Sequence, residues 1–176
     1  QLVRMLNDAR APNSKMFDIA LLWAVLNPTR EGINNDIPAD ATHFGEVDLR
    51  DAFHFAMLAE DSRKYLVSYF KGRYYKWRGV PQGVKPASLF FMAMLVDLIN
   101  NAIGDHWRVA TWFVGWIDDW MPMADAERRA EIRQEILNDI FIVGGFPGSP
   151  KCAKGAPWTP KWRAGPRLGP TFGAKG

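Results

Sequence analysis

The sequence has one cysteine, Cys152, in 176 residues. That excludes an internal disulfide and a cysteine-built zinc site, and it fits a reducing compartment. Its three histidines, His43, His54 and His106, show none of the spacings that metal sites use. The longest apolar run, residues 87–96, contains Ser88 and is too short to span a bilayer, so no membrane partner is expected. The first residues read as neither a signal nor a transit peptide, and an intracellular location, cytoplasmic or nuclear, is expected. The first residues are Gln1-Leu2-Val3 with no methionine, and we expect a fragment of a longer protein. Carboxylates are missing from one end. No Asp or Glu follows Asp139, whereas Lys151, Lys154, Lys161, Arg163, Arg167 and Lys175 do. The first 139 residues carry 16 cations against 19 carboxylates, so the net charge of +3 conceals a basic tail. With Trp158, Trp162 and Phe172 among its cations, the tail either keeps the chain soluble or follows a phosphate backbone.

What is present is apolar and aromatic. At 48% hydrophobic and 13% aromatic, the chain can bury a sizeable core, and wholesale disorder is excluded. Residues 2–8 read as a strand that enters a loop at Ala11-Pro12-Asn13. Helical spacing over 15–26, with Ser14 as N-cap, stops at Asn27-Pro28. After a polar loop, residues 44–49 read as a strand. Residues 65–70 and 74–77 are strands flanking a three-residue loop, Lys71-Gly72-Arg73. Residues 79–83 are loop. Residues 87–103 are a helix apolar on most faces, ended by Gly104. Strands at 109–117 and 120–123 flank a turn at Asp118-Asp119. Asp125 is expected to cap a last helix with Ile132, Ile136, Leu137 and Ile140 along one stripe, ended by Gly144-Gly145. The order β-α-β-β-α-β predicts an α+β fold with an antiparallel hairpin at its centre.

Asp118-Asp119 lies between Val-Gly-Trp-Ile and Trp-Met-Pro-Met. Adjacent carboxylates in apolar surroundings repel each other unless a cation lies between them. An isolated Asp-Asp is otherwise ordinary turn chemistry. Asp48, at the end of a separate strand, offers a third carboxylate, and hard oxygen ligands suit Mg²⁺ or Mn²⁺. Two such ions about 4 Å apart support in-line phosphoryl transfer. Trp107, Trp112, Trp116 and Trp120 are read as hairpin and core packing.

Several motifs occur in order. They are Asp48-Leu49-Arg50-Asp51-Ala52-Phe53, then Val80-Pro81-Gln82-Gly83, then Trp116-Ile117-Asp118-Asp119. In that order they resemble the reverse transcriptase family, the RNA-directed DNA polymerases. Arg4 through Asn13 is similar to the fingers pattern R-x-x-x-D-x-R-x-x-N. Asp61 to Tyr65 and Gly72 to Trp77 resemble the fingers hairpin of retroelement enzymes. Lys151-Cys152 and Leu168-Gly169 resemble the signatures that close the palm. The resemblance spans about residues 4–169. It implies a polymerase palm, an antiparallel sheet with helices on one face and carboxylates on the open face, plus part of the fingers. Residues 1–18 and 56–86 would be fingers, 19–55 and 87–170 palm, and 171–176 tail. The thumb and any nuclease domain would lie elsewhere in a longer polyprotein.

The resemblance also implies roles. Asp48 and Asp118 would be the principal ligands of two Mg²⁺ or Mn²⁺ ions, with Asp119 accessory. Phe53 would be the steric gate that excludes a 2′-hydroxyl. Arg4 would grip the triphosphate bidentately. Gln82 and Gly83 would lie against nucleotide and template, and Trp116 and Ile117 would support the primer end. Lys151 would protonate the pyrophosphate leaving group. The partners implied are an RNA or DNA template with its primer, and a dNTP.

Departures from the pattern are Trp116 in place of a tyrosine, and Pro86-Ala87-Ser88 in place of a Ser-Pro pair. The form Trp-Ile-Asp-Asp-Trp is similar to that of DIRS-like retrotransposons. The expected function is that of a nucleotidyltransferase adding dNTPs to a primer 3′-hydroxyl, with the fragment inactive on its own. The rivals are an RNA-directed RNA polymerase, which Phe53 argues against, and an inactive or domesticated nucleic-acid-binding module. A metal-dependent hydrolase would lack an obvious general base.

Overall fold

The computed structural model describes residues 8–16, 37–146 and 148. The expected strand over 2–8 and most of the helix over 15–26 fall outside these residues, as do Arg4, Lys151, Cys152 and the basic tail. Where a loop was expected, Arg10–Asn13 form one helical turn, α1. Ser14 closes this turn as its C-cap, and its hydroxyl donates to the Ala11 carbonyl at 2.8 Å.

The sheet is built on β6 (Asp119–Ala124), whose Trp120, Met121, Pro122 and Met123 are all buried. One edge of β6 pairs antiparallel with β5 (Phe113–Trp116). The other edge is shared by two short strands, β1 (His43–Phe44) and β2 (Val47–Asp48). The sequence predicted one strand over 44–49; it is interrupted at Gly45-Glu46. Pro122 accounts for the interruption. It has no N–H to give a neighbouring strand, and its carbonyl accepts the Gly45 N–H at 2.7 Å instead. The Glu46 N–H is satisfied from outside the sheet, donating to the Gln134 side chain at 3.0 Å.

Between β2 and β5 come the short helix α2 (Ala52–Phe55), a 3₁₀ helix (Glu60–Tyr65) and a separate ribbon of β3 (Val67–Phe70) and β4 (Arg73–Lys76). The ribbon is closed by two residues, Lys71 and Gly72, at φ 47° and 77°. Positive φ at both central positions gives a type I′ turn, whose twist matches that of the strands. This replaces the expected three-residue loop. The strand expected from residue 65 also starts later, because Glu60–Tyr65 is helical.

The long helix α3 (Ala87–Ile103) has the bounds that its apolar pattern predicts, and Gly104 ends it at φ 74°. Its burial is one-sided: Leu89, Phe91, Leu95 and Ile99 face the core, whereas Phe90 is exposed. A short helix, α4 (His106–Val109), takes in the first residue of the strand expected over 109–117, and β5 begins only at Phe113. The last helix, α5 (Glu127–Val143), buries Ala130, Leu137 and Phe141, at i, i+7 and i+11. Of the expected stripe, Leu137 and Ile140 are buried and Ile136 packs against the core, while Ile132 faces solvent. Asp125 makes no capping bond; it ion-pairs with Arg129 one turn on.

Helices α3 and α5 cover one face of the sheet. That face presents Val47, Phe113 and Trp120, which pack with Phe91, Leu95 and Phe141. Burying side chains of this size stabilises by about 1.5–3 kcal/mol each. The opposite face carries Val114, Met121 and Met123, packed with Ile37 and Phe44. It is thus not open along its whole length. A third cluster, Ala9, Leu66, Val84 and Ala87, joins the first described segment to the base of the ribbon and the start of α3. Among the described residues no helix is long and apolar enough to cross a membrane.

Candidate active site

The register fixes where the acidic residues fall. Trp120 pairs with Val47 on one edge and Gly115 on the other, and all three lie on the helix-covered side. Side chains alternate along a strand, so Asp119 points to the opposite side. Its partners are Asp48 on one edge and Trp116 on the other. Residues directly opposite on one face have Cβ atoms about 4.5–5.5 Å apart. Asp48 and Asp119 therefore share one end of the uncovered face, and both are half-buried.

Asp118 stands next to them, but not where the sequence suggested. The turn is Ile117-Asp118, and Asp119 is already the first residue of β6. Of the two turn residues only Ile117 has a positive φ, 59°, the pattern of a type II′ turn. Glycine is the usual occupant of that position, and a β-branched side chain there is an outlier costing about 1–3 kcal/mol. Three hydrogen bonds hold the turn. The Ile117 N–H donates to the Met92 sulfur of α3 at 2.9 Å. The Trp120 indole N–H donates to the Ile117 carbonyl at 3.2 Å. The Leu49 N–H donates to the Asp118 carbonyl at 3.1 Å, tying the turn to the residue after Asp48.

Two other expected residues are nearby in the fold. Phe53 lies on α2, shortly after β2, with its ring 5.0 Å from that of Phe91. It is half-buried, between the main core and the cluster at the ribbon base. Gln82 and Gly83 are exposed in the loop before α3, with Gly83 at φ 88°. That loop is held by a residue the sequence did not single out by itself. The Asn13 side chain donates to the Gly83 carbonyl and accepts the Lys85 N–H, both at 2.7 Å. Its only sequence signal was membership of the R-x-x-x-D-x-R-x-x-N pattern. In the same pattern Arg10 grips Asp8 with its Nε at 2.9 Å and a terminal nitrogen at 2.6 Å. These bonds hold the Asp8 carboxyl down at about 2, from an ordinary 3.8. Met92 and Gly115 were likewise missed, since nothing in an apolar helix or a Val-Gly-Trp run marks them.

As a metal centre the arrangement fits in donor chemistry. Carboxylate oxygens suit Mg²⁺ or Mn²⁺, and like charges opposite each other across a sheet are destabilising, a cost that a divalent cation offsets. The three aspartates meet at one end of the sheet through the backbone. Among the described residues, however, no group of three or more His, Cys, Asp and Glu side chains is gathered closely enough to hold an ion.

No curated protein matches the chain. Solved structures do. The native Prototype Foamy Virus protease-reverse transcriptase is similar over 83% of this chain and 18% of its own length, at 23% identity and a TM-score of 0.66. The foamy viral enzyme in complex with double-stranded DNA is similar over 83% of this chain and 24% of its own, at 21% identity and 0.58. In complex with an RNA/DNA hybrid the figures are 70%, 16%, 21% and 0.57. The chain thus spans about a fifth of the native enzyme's length, and at these identities the likeness shows the fold. The family is shown by the sequence. Residues 3–148 match the model described as reverse transcriptase (RNA-dependent DNA polymerase), a span that holds the aspartate turn and the Asn13-clamped loop. By that match the chain belongs to the reverse transcriptase family.

Proposed function

We propose that this chain is the fingers–palm part of an RNA-directed DNA polymerase, a nucleotidyltransferase of a retroelement. The observation that carries the reading is the Asp48–Asp119 register pair, with Asp118 in the adjoining turn, in a chain of this family. Asp48 and Asp118 are the residues that would hold two Mg²⁺ or Mn²⁺ ions, with Asp119 accessory. Such ions, when bound, acidify the primer hydroxyl and neutralise charge developing on pyrophosphate. The residues around them set geometry. Phe53, whose ring lies against Phe91, is assigned as the gate that excludes a ribose 2′-hydroxyl. Gly83 lets backbone approach nucleotide and template closely, and Gln82 lies beside it. Trp116, the last residue of β5, and Ile117, the first of the turn, lie on the side we assign to the primer end. Arg4 is assigned to the triphosphate and Lys151 to protonating the leaving group. The partners on this reading are dNTP and an RNA or DNA template with its primer, inside the cell. Residues up to 18 and 56–86 are assigned to the fingers, and 19–55 and 87–170 to the palm. A DIRS-like origin belongs to the same proposal.

A second reading is favoured by one observation. The carboxylates are not gathered into a ready three-ligand set, as in a module that binds nucleic acid without catalysis. One assay separates the two. The polypeptide carrying this chain, given Mg²⁺, should extend an oligo(dT) primer on poly(rA) with dNTPs in preference to rNTPs. Asp118→Asn should abolish that extension. Extension that survives the substitution refutes the assignment, and template–primer binding without extension in the unaltered protein establishes the second reading.

A further inference from the structure

Helix α3 reaches the aspartate turn through one side chain. A β-turn's own bond joins its first carbonyl to its fourth N–H, so it leaves the Ile117 N–H to another partner. That partner is the Met92 sulfur at 2.9 Å, on a side chain only 4% exposed. A thioether accepts weakly and donates nothing, so it can lie in the core with no donor of its own left unpaired. Leucine in its place could not accept, and glutamine would bring two N–H donors into apolar surroundings. The preceding residue, Phe91, sets its ring 5.0 Å from that of Phe53 and 5.7 Å from that of Phe146. Consecutive residues of one helix therefore touch the assigned gate and the turn that carries Asp118.

Two effects oppose this placement of the turn. Asp118 and Asp119 are adjacent, Asp48 lies opposite Asp119, and like charges facing each other across paired strands are destabilising. Ile117 is held at φ 59°, a conformation that a β-branched residue keeps only where its surroundings over-determine it. Both effects favour a turn that swings away from the sheet and separates the carboxylates. Trp120 restrains the Ile117 carbonyl at 3.2 Å, and Met92 restrains its N–H. Of these two bonds, only the one to Met92 ties the turn to a different element of the fold.

We propose that Met92 is a positioning residue of the metal centre. Its sulfur anchors the Ile117 N–H to α3 and so keeps Asp118 beside the Asp48–Asp119 pair, ready for a divalent cation to bridge them. The inference rests on the reading of these aspartates as metal ligands, and it is tested on metal binding rather than on polymerisation.

Mn²⁺ titrated into the chain and followed by electron paramagnetic resonance provides the test, with urea stability measured on the same proteins. Met92→Leu removes the acceptor, and the Mn²⁺ dissociation constant should rise about fivefold, the equivalent of one hydrogen bond of about 1 kcal/mol. Met92→Gln restores an acceptor but brings amide donors into the core, so it should be less stable than Met92→Leu and yet bind Mn²⁺ more tightly. Amide exchange at Ile117 should be faster in the leucine variant than in the glutamine one. Leu95→Ala opens a cavity at a fully buried position of the same helix; it should lose stability and leave Mn²⁺ affinity unchanged. Affinity that tracks stability across the three variants overturns the proposal. So does a Met92→Leu affinity equal to that of the unaltered chain, Mn²⁺ binding that survives Asp118→Asn, or a chain that binds no Mn²⁺. Mn²⁺ held through Asp118 by a protein that extends no primer leaves the positioning role standing and removes only the polymerase reading.

Discussion

Substituting Gly115 by alanine probes the packing that sets the aspartate register. A Cβ on Gly115 would lie 2.5 Å from Trp120 Cδ2, with two more indole carbons at 2.6 and 2.7 Å. The ring has little room to yield. Trp120 is 2% exposed, its ring is edge-on to Phe141 at 5.6 Å, and its N–H is bonded to Ile117. Overpacking a rigid core costs about 1–3 kcal/mol. Displacing the indole also forfeits its hydrogen bond, about 1 kcal/mol. Gly115→Ala should therefore lose about 2–4 kcal/mol, read as a fall in the urea midpoint by far-UV circular dichroism at constant m. Because the same indole holds the Ile117 carbonyl, the perturbation reaches the turn that carries Asp118. Trp120→Phe makes room, so the glycine substitution should cost less in that background, with a coupling of at least about 1 kcal/mol in the double-mutant cycle. A cost within about 0.5 kcal/mol of zero, or the same cost in both backgrounds, refutes the argument.

Two further outcomes follow from single contacts. Met92→Leu keeps the volume in α3 but removes the sulfur that accepts the Ile117 N–H; it should cost about 1–2 kcal/mol and speed amide exchange at Ile117, seen by hydrogen-exchange NMR. Asp8 should titrate with a midpoint of about 2, read from its carboxyl carbon by NMR. Its folded value is depressed, so the stability it contributes is fully present above its ordinary 3.8 and is lost as pH falls toward 2. Arg10→Gln removes the guanidinium bonds to it and should raise the midpoint toward the ordinary range, while the backbone N–H of residue 10, which also bonds Asp8 at 3.1 Å, keeps part of the depression.

The helix over residues 87–103 was legible because an apolar pattern seventeen residues long and a terminal glycine agree on one answer. The strand over 44–49 was legible in place but not in continuity. Its interruption depends on Pro122, some eighty residues away, occupying the middle of β6. The stripe of α5 was legible in part: Ile136, Leu137 and Ile140 reach the core, but Ile132 is exposed and the sheet takes Ala130 and Phe141 as well. Periodicity gives the existence of a face, and the neighbour chooses which face is buried. The clamp on Gly83 shows the same limit in the candidate site. Asn13 reads locally as a loop residue, and its two bonds cross seventy residues of sequence.

The aspartate turn shows which force wins when local and tertiary preferences conflict. Local chemistry favours Asp-Asp as the turn pair, since Asp tolerates turn geometry and isoleucine does not. That register would shift β6 by two residues against β5, pairing Trp120 with Ile117 instead of Gly115. A shift of two keeps each side chain on its own face, but it sets the indole against an isoleucine side chain where it now lies over a glycine. A buried tryptophan is worth several kcal/mol, and here it fits only opposite Gly115, the one residue of β5 without a side chain. Positive φ at Ile117 costs less, about 1–3 kcal/mol, and Met92 and Trp120 bond the strained residue in place. Core packing therefore dictates the turn. The same choice makes Asp119 the first strand residue, opposite Asp48 on the face away from the helices. The pairing of carboxylates on which the proposed chemistry depends is thus a consequence of where one indole ring must go.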